Sequence, residues 1–152
     1  MRRVLIAVVV ATLFVAMAAP AGATSPRGVD IEVESSLLGA PSPFVASGPA
    51  VDDGLICDTG TVVEASGKVT GFSENGFNWK GIKHFTCEDG SGEFFVNLQA
   101  RIDFTKGTTF NWNVISGTGA YEELHGAGGG VGLDICGPDC VFDVYEGGLH
   151  ID

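Results

Sequence analysis

Basic side chains are scarce in this sequence. Its 152 residues include 8 Lys and Arg against 19 Asp and Glu, a formal net charge of −11. Nucleic acid is bound through a clustered basic patch, and none is visible along the chain, so nucleic acid is not an expected partner. Helical periodicity is missing as well: beyond the N-terminus no stretch of about ten residues carries apolar side chains at helical spacing. Cys-x-x-Cys does not occur, which removes the usual paired spacing of a zinc site and the common redox motif. The glycine-rich stretch 117–132 is followed by no Gly-Lys-Ser/Thr and fits no Gly-x-Gly-x-x-Gly register, which removes a phosphate loop. Glu88-Asp89-Gly90-Ser91-Gly92-Glu93 lacks the alternating oxygen ligands of a calcium loop. No metal or organic cofactor is expected.

Long apolar runs are confined to the start. Met1-Arg2-Arg3 is a short basic leader, Val4 to Ala18 is apolar, and Ala21-Gly22-Ala23 is a small-x-small site. That is the pattern of a secretory signal peptide cleaved after Ala23. The run falls short of the ~20 residues of a membrane helix, and no second run follows. No cysteine stands at the cleavage point to carry a lipid, and Arg2-Arg3 lacks the surroundings of a twin-arginine signal. The expectation is Sec-type export of a soluble extracellular protein with no integral membrane association. Removing residues 1–23 leaves six basic groups against 19 acidic ones, a net charge of −13.

All four cysteines follow the leader, which fits two disulfides in an oxidising compartment. Four cysteines allow three connectivities. The turn tripeptide in Cys136-Gly-Pro-Asp-Cys140 makes a local Cys136–Cys140 bridge geometrically easy, which leaves Cys57 with Cys87.

The chain divides into a leader (1–23), a segment rich in Pro, Ser and Gly expected as a flexible arm (24–53), and a β-domain (54–152). Inside the arm Val29, Ile31 and Val33 alternate with Asp30, Glu32 and Glu34, a strand in waiting if it finds an edge. The clearest strand runs from Glu93 to Thr105. Phe94, Val96, Leu98, Ala100, Ile102 and Phe104 hold one parity while Asn97, Gln99, Arg101 and Asp103 hold the other. Phe110, Trp112 and Val114 alternate with Asn111 and Asn113, and Val131, Leu133 and Ile135 repeat the theme. Thr61–Phe72, Phe77–Cys87 and Val141–Ile151 complete the set, with turn residues between them. Short strands joined by hairpin turns imply an all-β antiparallel up-and-down barrel of about eight strands, or a β-sandwich.

Gly126, Gly128, Gly130 and Gly132 share one parity, so a strand there has a bare face. Such a face permits sharp coiling, or makes room for an aromatic from a neighbouring strand or for a ligand. His84, His125 and His150 form no visible triad or metal set. The carboxylate pairs Asp52-Asp53, Glu88-Asp89 and Glu122-Glu123 are adjacent in sequence, so within strands they point apart and in turns they are solvated. Asn97, Gln99, Arg101, Asp103, Asn111 and Asn113 read as an outer, wetted face; inward, they would line a polar cavity.

In the stretch from Trp112 to Gly128, Gly117-Thr118-Gly119-Ala-Tyr121 closes one strand, and Leu124-His-Gly126-Ala-Gly128 opens the next. This resembles a recurrent pattern of the allene oxide cyclase and dirigent superfamily of β-barrels. The resemblance implies an eight-stranded antiparallel barrel with an apolar lumen, and makes a homo-oligomer of this chain a candidate state. It also implies activities, where present, that guide cyclisation or radical coupling by shape without a metal or cofactor. The polar residues behind those activities lie outside the matched stretch, so no catalytic residue carries over. The motif also stands on geometry alone: the glycines permit a sharp reversal, and Tyr121 lays a ring over the bared strand.

The expected function is a binding module for a small apolar ligand, in a lumen lined by Phe94, Val96, Leu98, Phe110, Trp112 and Tyr121. The alternatives are a cofactor-independent cyclase- or isomerase-like enzyme, which requires a pocket with a buried polar group, and an acidic extracellular interaction protein using its exterior or the arm.

Overall fold

The computed structural model describes residues 25–152 except Ile135 and Pro138. The expected signal peptide and its cleavage site after Ala23 lie outside the described residues. Eight strands follow one another: β1 (Arg27–Ser36), β2 (Ser42–Ser47), β3 (Thr59–Ser73), β4 (Gly76–Cys87), β5 (Gly92–Asp103), β6 (Gly107–Gly119), β7 (Leu124–Leu133) and β8 (Cys140–Ile151). Each pairs antiparallel with the next, and β8 returns to β1, closing an up-and-down barrel rather than a sandwich. Closure is uneven: β2 meets only Thr59–Val62 of β3, so beyond Val62 β3 is paired on its β4 side alone.

Alternation decides the wall. On β5, Phe94, Val96, Leu98 and Ala100 are buried inside, while Gln99 and Arg101 are exposed outside. On β6, Phe110, Trp112 and Val114 face in, and an extra residue before Ser116 bulges the strand, so that Phe95 still meets Ser116 and Val96 meets Val114. On β7 Val131 and Leu133 face outward, each 41% exposed, and the glycine parity faces in. The reason is volume: a Cβ on Gly130 would overlap the Phe110 ring, and one on Gly128 the Trp112 indole. The bare face is filled by the protein's own aromatics, with Tyr145 from β8 packed between Phe110 and Trp112.

The boundary expected at residue 54 moves to the start of β1. The segment read as an arm supplies two strands, because Val29, Ile31 and Val33 find the edge they need in β8, and Phe44 and Ala46 follow them into the core. Its prolines sit where no ladder bond is lost: Pro41 in a loop, Pro43 ahead of the β1–β2 pairing that begins at Phe44, and Pro49 at the first turn of α1 (Pro49–Asp52).

The two ends of the barrel differ. At one end α1 and the following loop form a plug through Ala50 and Ile56, and the Cys57–Cys87 disulfide pins that loop to β4. The other end carries the β1–β2, β3–β4, β5–β6 and β7–β8 connections and the second disulfide, Cys136–Cys140, and among the described residues no helix lies there.

Candidate functional site

The expected lumen residues Phe94, Val96, Leu98, Phe110, Trp112 and Tyr121 are all buried. Through the middle of the barrel they pack on one another. Phe85 stacks on Phe94 at 4.8 Å, and Phe44 meets both edge-on. The motif residues belong to the closed end. Gly119 turns β6 with a φ of 62°, a conformation that favours glycine, and brings Tyr121 back over Gly117 and Gly92. The Tyr121 hydroxyl hydrogen-bonds with Ser91 Oγ at 2.5 Å and lies 3.2 Å from the Cys87 sulfur, while its ring meets Phe94 edge-on. Leu124 is buried beside it, and Gly126 approaches the β8 backbone and Leu149 too closely for a side chain. Gly117, Thr118, Gly119, Tyr121, Leu124, Gly126 and Gly128 thus serve closure and packing.

Open space lies at the other end. A pocket of about 180 Å³ enters the barrel between β1, β3, β4, β5, β6 and β8. Its walls are Trp79, Leu98, Ala100, Ile102, Phe110 and Val141, and among them stand Lys83, Glu64, Ser35 and Asp143. Lys83 and Glu64 are direct cross-strand neighbours. Asp143 lies across the barrel on β8 and accepts a hydrogen bond from Ser35 Oγ at 2.5 Å. Burial pushes the Asp143 carboxyl above its ordinary range, against the opposing pull of the Ser35 hydrogen bond and the Lys83 charge. One step deeper on the same face of β8, the Tyr145 hydroxyl is buried and has no hydrogen-bond partner among the described residues. Desolvation first, and the nearby Asp143 second, raise its pKa well above the usual tyrosine value. The Lys83 ammonium stands 5.6 Å over the Trp79 ring, and no carboxylate among the described residues lies within 4.0 Å of it. A half-buried ammonium and a half-buried acid beside apolar walls are unusual for a surface-to-core balance in which charges stay in water or pair.

These residues were readable in part. Lys83 and Asp143 sit on the inward parity of strands whose other inward residues are Phe77, Trp79 and Phe85, or Val141, Tyr145 and Leu149. A charge breaking an apolar parity is the signal. Carboxylates adjacent in sequence carried none. Glu64 was not readable, since a register shift between Glu64 and Ser66 resets the parity of β3.

The other candidates are dispersed. His84 faces outward, stacked on Phe95 and bonded to Glu93 at 2.9 Å. His125 and His150 pair across β7 and β8, with Asp152 3.2 Å and 3.6 Å from their respective Nε2 atoms. No group of three or more metal-type ligands able to hold an ion is present among the described residues. Asp53 pairs with Arg27, Asp89 with Ser91, and Glu122 and Glu123 are exposed. Gln99, Arg101 and Asn111 face outward on an exposed wall. No described helix is long and apolar enough to cross a membrane. No family model matches the chain, and no curated protein or solved structure matches it either.

Proposed function

We propose that the barrel is a binding module for one small, mainly apolar molecule, seated at the open end with a polar head group against Lys83 and Asp143. The pocket carries this reading. A cavity of roughly 150 Å³ holds a benzene molecule, so the 180 Å³ here suits a single ring or a short branched chain. Apolar walls would supply the binding energy, and the charged side chains the orientation. In the same reading the protein is exported through residues 1–23, and its two disulfides support an oxidising destination. The likeness to the allene oxide cyclase and dirigent barrels belongs here too, supported by the eight-stranded closed wall and by the motif's place at the β6–β7 reversal.

Calorimetric titration with benzoate, benzyl alcohol and benzylamine tests the pocket, alongside native mass spectrometry for a retained molecule. Benzoate should bind most tightly, and Ala100→Phe, which fills the chamber, should abolish binding while the circular dichroism spectrum stays unchanged. Binding that survives Ala100→Phe would sink the proposal, as would a protein that takes up no probe and carries no molecule.

One observation favours an enzyme as the second reading. Asp143 keeps its proton to higher pH than a surface carboxylate, which suits general acid–base work without a cofactor. Turnover of an isomerisable ligand that Asp143→Asn removes while leaving affinity intact would establish it; binding without turnover leaves the module.

A further inference from the structure

Of the six basic side chains after the leader, three stand together on the outer wall of β3, β4 and β5: Lys68, Lys80 and Arg101. Lys68 is directly across from Lys80 in the β3–β4 register, and Lys80 is across from Gln99. Like charges directly opposite on neighbouring strands destabilise a sheet. Here the repulsion is not offset, because among the described residues no carboxylate lies within 4.0 Å of Lys68, Lys80 or Arg101. Two adjoining depressions run over this wall, about 660 Å³ and 320 Å³ in volume, and none of the 19 acidic residues lines either. Beside the cations the larger one exposes the amides of Asn78, Gln99 and Asn111.

We infer that this wall binds an anionic glycan. The cations face carboxylate or sulfate groups. The amides, each both donor and acceptor, match the alternating donor and acceptor character of sugar hydroxyls. The chain's overall acidity does not forbid this. The acidic stripe Asp30, Glu32 and Glu34 lies on β1, two strands and so roughly 10 Å from the nearest strand of this wall, and charges beyond about 8–10 Å are largely screened at physiological salt. A nucleic acid fits less well, since three cations neutralise few phosphates.

Surface plasmon resonance on immobilised polygalacturonate tests the inference, with neutral dextran, polyglutamate and a single-stranded oligonucleotide as parallel surfaces. Saturable binding to polygalacturonate is expected, with none to dextran and at least roughly tenfold weaker binding to the other two. Raising salt from about 50 to 200 mM should weaken it on the order of tenfold, as three ion contacts predict. The exposed triple variant Lys68→Gln, Lys80→Gln, Arg101→Gln should lose it while still binding benzoate or melting at or above the wild-type temperature. Asn111→Ala should weaken polygalacturonate binding and leave polyglutamate binding unmoved. Four results would overturn the inference: no binding, equal binding to polyglutamate or the oligonucleotide, binding that survives the triple variant, and salt-sensitive self-association that Lys80→Gln dissolves. The last would make the wall an interface between copies.

Discussion

The two ends of the barrel are built from the same strands and solve opposite problems. At the closed end every large side chain meets another: Ile56 and Ala50 plug the lumen, Tyr121 ties its hydroxyl to Ser91, and Cys57–Cys87 locks the plug to the wall. At the open end the apolar side chains are left wet. Leu37, Leu38, Phe72 and Phe104 are 58–78% exposed, and Lys83 and Asp143 stand half-buried on the inward face. Packing and the longer-range disulfide are concentrated where nothing has to enter. The lesson is a division of labour along one axis, with stability at one end and access at the other.

The largest effect should come from breaking the clamp. Cys57→Ser with Cys87→Ser should cost ~3–4 kcal/mol by loop-closure entropy, against about 2 for the Cys136/Cys140 pair. Guanidinium denaturation measures both, and equal losses would erase the asymmetry. Next is the filled middle: Gly130→Leu drives a side chain into the Phe110 ring and should cost roughly 1–3 kcal/mol, whereas Gly129→Ala, on the outer parity, should stay within about 0.5 kcal/mol.

Asp143 sharpens the contrast through pH. Its folded pKa is raised, so the folded state holds the proton more tightly than the unfolded chain. The stability this gives is complete below the unfolded value near 3.8 and is lost as pH rises through the folded value. Asp143→Asn should therefore flatten the fall in melting temperature as pH rises above the unfolded value near 3.8, where wild-type protein weakens; an identical profile in both proteins refutes the assignment. Smallest is Tyr145→Phe. Removing a hydroxyl that already lacks a partner should be neutral or stabilising, by up to ~1 kcal/mol. A loss above that in thermal melts would mean the hydroxyl has a partner in solution.

Much of this was legible residue by residue. The alternation of β5 names its inner face without help, and the turn tripeptide names the Cys136–Cys140 bridge. The β7 glycines announced a bare face, though not that Phe110, Trp112 and Tyr145 would occupy it. The 24–53 segment misled because its prolines dominate its composition, while their positions at element starts are visible only once the elements exist. The pocket was least legible. Lys83 and Asp143 lie on strands far apart in sequence, and only closure puts them in one chamber.

The sequence by itself determined the strands from Thr59 onward, their turns and the local Cys136–Cys140 bridge, because each rests on neighbours within a few positions of one another. Tertiary structure alone decided that β8 returns to β1, that the glycine side of β7 faces in, and that three cations share a wall. Those are matters of volume and closure: a strand's alternation fixes two faces, and only the bulk of the side chains across the barrel chooses between them.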